Sequence, residues 1–196
     1  LTKGFGDPWE LASSGVYLKA YPCCGSTHAA IDAMLYLRAM DGFSPDDIER
    51  IEGCVQPNRV HILVHPNPET GLEAKFSLEY CLATAAIEGD LRLRHFTDAW
   101  VKRPQNQALT AATRATVHRD TANSSSVVTV YLKGGRTVSH TVEEAKGITT
   151  QDELHRKYRD CAEGVLSAEA LERSLALIEK FEDVDDLASL LEYMAG

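Results

Sequence analysis

Val127-Val128-Thr129-Val130-Tyr131-Leu132-Lys133-Gly134-Gly135-Arg136-Thr137-Val138-Ser139-His140-Thr141-Val142 decides the fold class of this 196-residue chain. Two runs rich in β-branched residues, Val127 to Lys133 and Arg136 to Val142, flank a Gly-Gly pair. A two-residue hairpin loop needs positive φ at both central positions, and glycine supplies it without steric cost. Upstream, Ala115 to His118 reads as another strand, Val60-His61-Ile62-Leu63-Val64 as one more, and Ile48 to Gln56 as a strand after a turn at Ser44-Pro45-Asp46-Asp47.

Helical patterning fills the intervals between these strands. One helix is expected from about Thr27 to Met40, stopping at Asp41-Gly42, and another from about Phe76 to Glu88, closed by Gly89. Thr97 caps a short helix that Pro104 interrupts, and Asn106 to Thr113 forms the next. After Gly147 only helical patterns remain: one capped by Thr150, one starting at Ser167, and one from Asp185 to Met194. The chain therefore reads as α+β, with a small mixed or antiparallel sheet and helices over 18–148 and a helical tail over 149–196. Residues 1–17 read as irregular, since Gly4, Gly6, Pro8 and Gly15 break any period. In the tail, Leu166, Leu171, Leu175, Ile178, Leu187, Leu190 and Leu191 form stripes that need an apolar surface to cover.

Composition narrows the function classes. At 44% hydrophobic and 25% charged the sequence is that of an ordinary globular protein, and no apolar run approaches the roughly 20 residues that span a bilayer. A formal net charge of −9 without a basic stripe argues against nucleic acid. An anionic ligand would have to be held by locally gathered cations. The N-terminus shows no signal-peptide pattern and does not begin with methionine, which suggests a cut or processed chain. Five irregularly spaced cysteines make neither a disulfide framework nor a CxxC pair, so reduced thiols in a cytoplasmic protein are expected.

Two stretches concentrate chemistry. Lys19-Ala20-Tyr21-Pro22-Cys23-Cys24-Gly25-Ser26-Thr27-His28 puts a lysine, a tyrosine, two thiols and a histidine on one turn that opens into a helix, with Ser26 or Thr27 as its cap. Free N–H groups at a helix start beside an ammonium and an imidazole suit a bound carboxylate. Gly71-Leu72-Glu73-Ala74-Lys75-Phe76-Ser77-Leu78-Glu79-Tyr80-Cys81-Leu82-Ala83 is the second stretch, with Ser77 and Tyr80 three apart on one helix face. Adjacent Cys23 and Cys24 are small buried hydrophobes before they are nucleophiles. His61 and His65 lie four apart on the expected strand and could share a side, but no further ligands complete a metal site. There is no Walker loop, dinucleotide fingerprint or GxSxG elbow.

The two stretches together resemble the MmgE/PrpD family, whose members act on small di- and tricarboxylates. The resemblance covers nearly the whole chain and corresponds to the later part of a family protein. It implies an α+β lid over 18–148, C-terminal helices belonging to an all-helical domain, and a connector over 1–17 from a helical domain that precedes them. The chain would then be a fragment, or one half of a split enzyme that works with a helical partner. The resemblance also implies a homodimer, no cofactor, and proton abstraction next to a carboxylate, with 2-methylcitrate dehydratase-like hydro-lyase chemistry leading. Decarboxylation and epimerisation are the other reactions of the family.

By the same resemblance Lys19, His28 and Tyr80 are the catalytic candidates, and Lys75, Ser77 and Cys24 the substrate-binding ones. Lys19 matches the lysine of the family's K-x-Y/F-P turn, which faces the cleft between domains. His28 closes that turn as an acid/base group or carboxylate donor, and Tyr80 matches a substrate-facing tyrosine. The decarboxylase branch carries a histidine five positions after the lysine, where this chain has Cys24. A second class of function fits the same residues: a non-catalytic α+β module for dimerisation or carboxylate binding.

Overall fold

The computed structural model describes residues 4, 6–7, 9–13, 16–119 and 125–194. Within the expected connector, Leu1, Thr2, Lys3, Phe5, Pro8, Ser14 and Gly15 lie outside the described residues. The helices are α1 (Glu10–Ser13), α2 (His28–Met40), α3 (Pro57–Val60), α4 (Gly71–Ala74), α5 (Leu78–Glu88), α6 (Asp98–Val101), α7 (Pro104–Ala111), α8 (Gln151–Ala162), α9 (Ala168–Glu179) and α10 (Leu187–Met194). The strands are β1 (Ile48–Val55), β2 (Thr113–Val117), β3 (Ser126–Leu132) and β4 (Thr137–Val142).

The architecture is α+β. One four-stranded mixed sheet has the order β2-β1-β3-β4. β1 pairs parallel with β2 and antiparallel with β3, and β3 pairs antiparallel with β4. The β3–β4 hairpin forms, but its loop is one residue longer than the expected two-residue turn: the Leu132 N–H donates to the Arg136 carbonyl at 2.8 Å, leaving Lys133, Gly134 and Gly135 in the loop, with the two glycines at φ 86° and 88°. Helix α2 packs across β3 and β4, while α5 packs on β1 and β2 and against α2 and α7. Nine of the eleven residues of α5 are buried, so it is the central helix of the block. Gly53 lets it come so close: a Cβ there would meet Leu82 Cδ1 at 2.6 Å and Leu78 Cδ2 at 3.2 Å. The core holds Ile31, Met34, Leu37, Ile51, Val55, Leu78, Leu82, Val128 and Val130.

Several helix starts follow from their caps. The side-chain oxygens of Ser77, Thr97, Thr150 and Ser167 each accept an N–H from the following turn. Pro104 does not merely interrupt; it occupies the first position of α7, where its missing N–H has no intrahelical partner to lose. The expected strand Val60 to Val64 is not formed. Pro57 instead starts the short helix α3 and the chain leaves it through a turn, with Ile62 48% and Val64 58% exposed. Leu63 of this run is buried in the core and Val60 packs against it, but no neighbouring strand pairs with the segment, so His61 and His65 do not share a strand face. Among the described residues no group of histidines, cysteines and carboxylates could hold a metal ion. No helix among them is long and apolar enough to cross a membrane.

The tail helices pack mainly on one another, α8 on α9 and α9 on α10. Polar ties hold them to the block. Arg92 Nη1 meets Asp160 Oδ1 at 2.6 Å, and Lys157 Nζ donates to the Lys19 carbonyl at 2.5 Å. The Ile148 N–H donates to the Leu18 carbonyl at 3.1 Å.

Candidate functional site

The two chemistry-bearing stretches meet in space. The Cys24 N–H donates to the Lys75 carbonyl at 2.9 Å, fastening the turn before α2 to the end of α4. Cys24 is extended, Gly25–Thr27 form a 3-10 turn, and α2 follows at once. Thr27 does not cap α2 through its side chain. Its hydroxyl and its N–H both donate to the Cys24 carbonyl, at 2.8 and 3.0 Å, which tightens the turn. No acidic residue sits in the first turn of α2, leaving its positive end without a built-in anion.

Lys19 is exposed and its ammonium donates to the Cys23 carbonyl at 3.4 Å. Lys75 is half-buried next to the same turn. Among the described residues neither lysine pairs with a carboxylate. Two lysines without a carboxylate partner, on segments that meet beside a helix start, suit a carboxylate ligand in an otherwise acidic protein.

Beneath the turn lies a buried cluster of thiols and an imidazole. Cys23 Sγ stands 3.2 Å from Thr27 Oγ1, and the Cys81 thiol donates to the Ala74 carbonyl at 3.6 Å. Burial pushes the Cys23 thiol up, but the neighbouring Cys81, His28 and Thr27 side chains outweigh it and bring Cys23 below the usual thiol range. Cys81, buried and beside Cys23, goes the opposite way. His28 is fully buried at the start of α2, edge-on to Tyr21 with ring centroids 5.2 Å apart. Neither of its ring nitrogens has a hydrogen-bond partner among the described groups.

Tyr21 and Asp32 extend the site, and the sequence had not marked Asp32. The Tyr21 hydroxyl donates to Asp32 Oδ1 at 2.5 Å, and Asp32 Oδ2 accepts the Lys146 N–H at 2.7 Å. Burial and the Asp32 carboxylate hold Tyr21 as a neutral phenol. Asp32 is four residues after His28 on one helix, so the helical period alone would have placed it on the same side.

Ser77 and Tyr80 take places that support the fold. Ser77 Oγ accepts the Tyr80 N–H at 3.1 Å as the cap of α5. Tyr80 is buried and its hydroxyl donates to the His95 carbonyl, with burial pushing the phenol up to about 12. The structure thus brings Lys19, Cys24, His28 and Lys75 to one turn, while Ser77 and Tyr80 spend their polar atoms inside the helix bundle.

A cavity of about 380 Å³ opens on the other side of Tyr21, between Asp32, the 89–93 loop, the 146–148 segment and α8. Its charges are largely matched. Arg92 pairs with Asp90 and Asp160, Lys146 pairs with Glu153 at 2.5 Å, and Lys157 is spent on the Lys19 carbonyl. Arg156 also lines it and makes no ion pair with a carboxylate among the described residues.

Comparison with known proteins shows the family. The chain is 25% identical to a cis-aconitate decarboxylase of Mus musculus, over 96% of this chain and 41% of that protein. It is 26% identical to the cis-aconitate decarboxylase of Homo sapiens, with the same coverage of each. A cis-aconitate decarboxylase-like protein of Aspergillus oryzae is 23% identical over the whole chain and 43% of its own length. The chain thus spans about two fifths of the length of the curated relatives it matches. The MmgE/PrpD C-terminal domain matches residues 21–183, from Tyr21 in the lysine-bearing turn to Asp183 between α9 and α10, and the chain belongs to the MmgE/PrpD family.

Proposed function

We propose that this chain is the lid and C-terminal part of a lyase that acts on a small di- or tricarboxylate, with cis-aconitate the leading substrate and decarboxylation the leading reaction. The observation that carries the proposal is the meeting of two lysines without a carboxylate partner among the described residues at the turn before α2, Lys19 through its ammonium on the Cys23 carbonyl and Lys75 through its backbone carbonyl on the Cys24 N–H. The similarity to decarboxylases moves the leading reaction away from hydro-lyase chemistry. In this reading residues 18–148 form the lid, 149–196 return to a helical domain, and the complete enzyme works as a homodimer.

Decarboxylation breaks a C–C bond and leaves its electron pair on carbon, next to a remaining carboxylate. Lys19 and Lys75 neutralise substrate carboxylates and the enolate-like charge that develops. A proton must then reach that carbon. Cys24, on the surface of the turn, and His28, below it, are the groups of this chain whose types can deliver one. A second reading rests on Cys24 itself. The decarboxylase branch has a histidine at that place, and a thiol there favours dehydration or epimerisation, in which a proton next to a carboxylate is removed.

The test uses the complete protein with cis-aconitate and with 2-methylcitrate, following carbon dioxide release and loss of water separately. Lys19→Ala should lower kcat/KM by about 10²-fold or more with the fold intact, the scale of a lost charge stabiliser. Unchanged turnover removes Lys19 from the mechanism. Water loss without carbon dioxide moves the reaction to the hydro-lyase class. Tight carboxylate binding without any C–H exchange or turnover supports a non-catalytic binding module instead.

A further inference from the structure

A second thiol–imidazole pair lies away from the lysine-bearing turn, on the other face of the sheet. Residues alternate sides along β1, and Gly53 faces α5, so Cys54 points to the open face. There it stands between Thr116 of β2 and Val127 of β3, half-buried in the middle of the sheet. The parallel ladder runs one residue past β2, where the His118 N–H donates to the Val55 carbonyl at 3.1 Å. That bond places the His118 ring beside Cys54, with Nδ1 at 3.5 Å from Sγ.

The other ring nitrogen fixes the tautomer. His118 Nε2 lies 2.9 Å from the Ser125 carbonyl, which can only accept, so Nε2 carries the proton. In the neutral ring Nδ1 is therefore a bare lone pair, and the Cys54 thiol donates to it. A nucleophile, a base in hydrogen-bond reach and a third group that orients the base are the three parts of an activated thiol.

We propose that Cys54, with His118 as its base, is a reactive-thiol site at which this protein is oxidised by peroxides to a sulfenic acid. The step balances as follows. The Cys54 proton passes to His118 Nδ1, and the thiolate attacks one oxygen of hydrogen peroxide. An S–O bond forms as the O–O bond breaks. The departing hydroxide takes the imidazolium proton and leaves as water. Sulfur loses two electrons and the peroxide gains them. The site is independent of the proposed carboxylate chemistry, because no residue of the lysine-bearing turn takes part.

The protein carries its own control in Cys161, which is exposed and free. No hydrogen bond to its sulfur is formed among the described residues. Exposure alone would make Cys161 the faster thiol, whereas base assistance makes Cys54 the faster one. The experiment treats the complete, reduced protein with limiting hydrogen peroxide and a sulfenic-acid-trapping dione, then quantifies each cysteine by peptide mass spectrometry. Cys54 should be trapped about tenfold or more faster than Cys161. His118→Gln should bring Cys54 down to the Cys161 rate and leave Cys161 unchanged. Equal or slower trapping at Cys54 in the unaltered protein overturns the proposal, as does a Cys54 rate that ignores His118→Gln. If circular dichroism shows that the variant has not folded, the ratio in the unaltered protein decides alone.

Discussion

Helix α5 and the tail helices α9 and α10 are all rich in apolar residues, yet the block and the tail use them in opposite ways. Nine of eleven residues of α5 are buried, enclosed by the sheet, α2 and α7. In the tail, α8 buries only Ala162, α9 only Ser174 and Leu175, and Leu190 is the buried leucine of α10. Val165, Leu187 and Leu191 are each more than half exposed. An apolar stripe on a helix states a need for a partner surface, not that the partner is at hand. Block and tail are joined by ion pairs and single hydrogen bonds, so cohesion resides in the block and the tail is steered by charge.

The sharpest way to break that comparison is a cavity in the block. Leu82 is fully buried and lies over Gly53 of β1. Leu82→Ala should cost about 2–5 kcal/mol, since the close-packed sheet cannot collapse into the space. The urea midpoint should fall with the slope unchanged. A loss as small as a surface substitution would mean that α5 is not the central helix described here.

Acid should act on the block as well, through His95. This ring is fully buried beside α5, its Nδ1 accepts the Arg92 N–H at 3.0 Å, and its carbonyl takes the Tyr80 hydroxyl. Burial, reinforced by the Arg94 charge, brings it down from 6.5 to about 4. Between those values the unfolded chain binds more protons than the folded one, so stability falls as the pH falls through that window. Above it this group contributes no pH dependence, and the full loss, about 3 kcal/mol at most, is reached below it. The carboxylates titrate nearby, so the reading is a difference: His95→Gln should show a shallower fall between pH 7 and pH 4. Parallel curves for the two proteins would remove His95 from the acid response.

How much of this could be read from the chain depended on the range of the forces involved. The hairpin was legible because positive φ at Gly134 and Gly135 is a local demand, and the helix starts at Thr97, Thr150 and Ser167 because a cap needs only the next turn. Val60 to Val64 misled for the opposite reason. Its apolar pattern is local, but whether a strand lies beside it is not, and Pro57 had already turned the chain into α3. The site was half visible. Each stretch advertised its own lysine, but the hydrogen bond from Cys24 to Lys75 crosses 51 residues of chain and has no local signature. Asp32 was within reach of helical period, whereas the Cys54–His118 pair depends on the β1–β2 register.

The smallest expected effect tests the tail. Leu191 is 63% exposed on α10, so in this chain Leu191→Ser removes little buried surface and should change stability by no more than about 0.5 kcal/mol. The same substitution in the longer protein is the informative half of the experiment. If the tail stripe returns to a helical domain, as proposed above, Leu191 becomes buried there and Leu191→Ser should cost more than about 1 kcal/mol. A near-zero effect in both settings would leave the stripe without a partner and would count against assigning 149–196 to that domain. A large effect in this chain alone would show that the tail already packs on the block, and the contrast with α5 would then be one of degree.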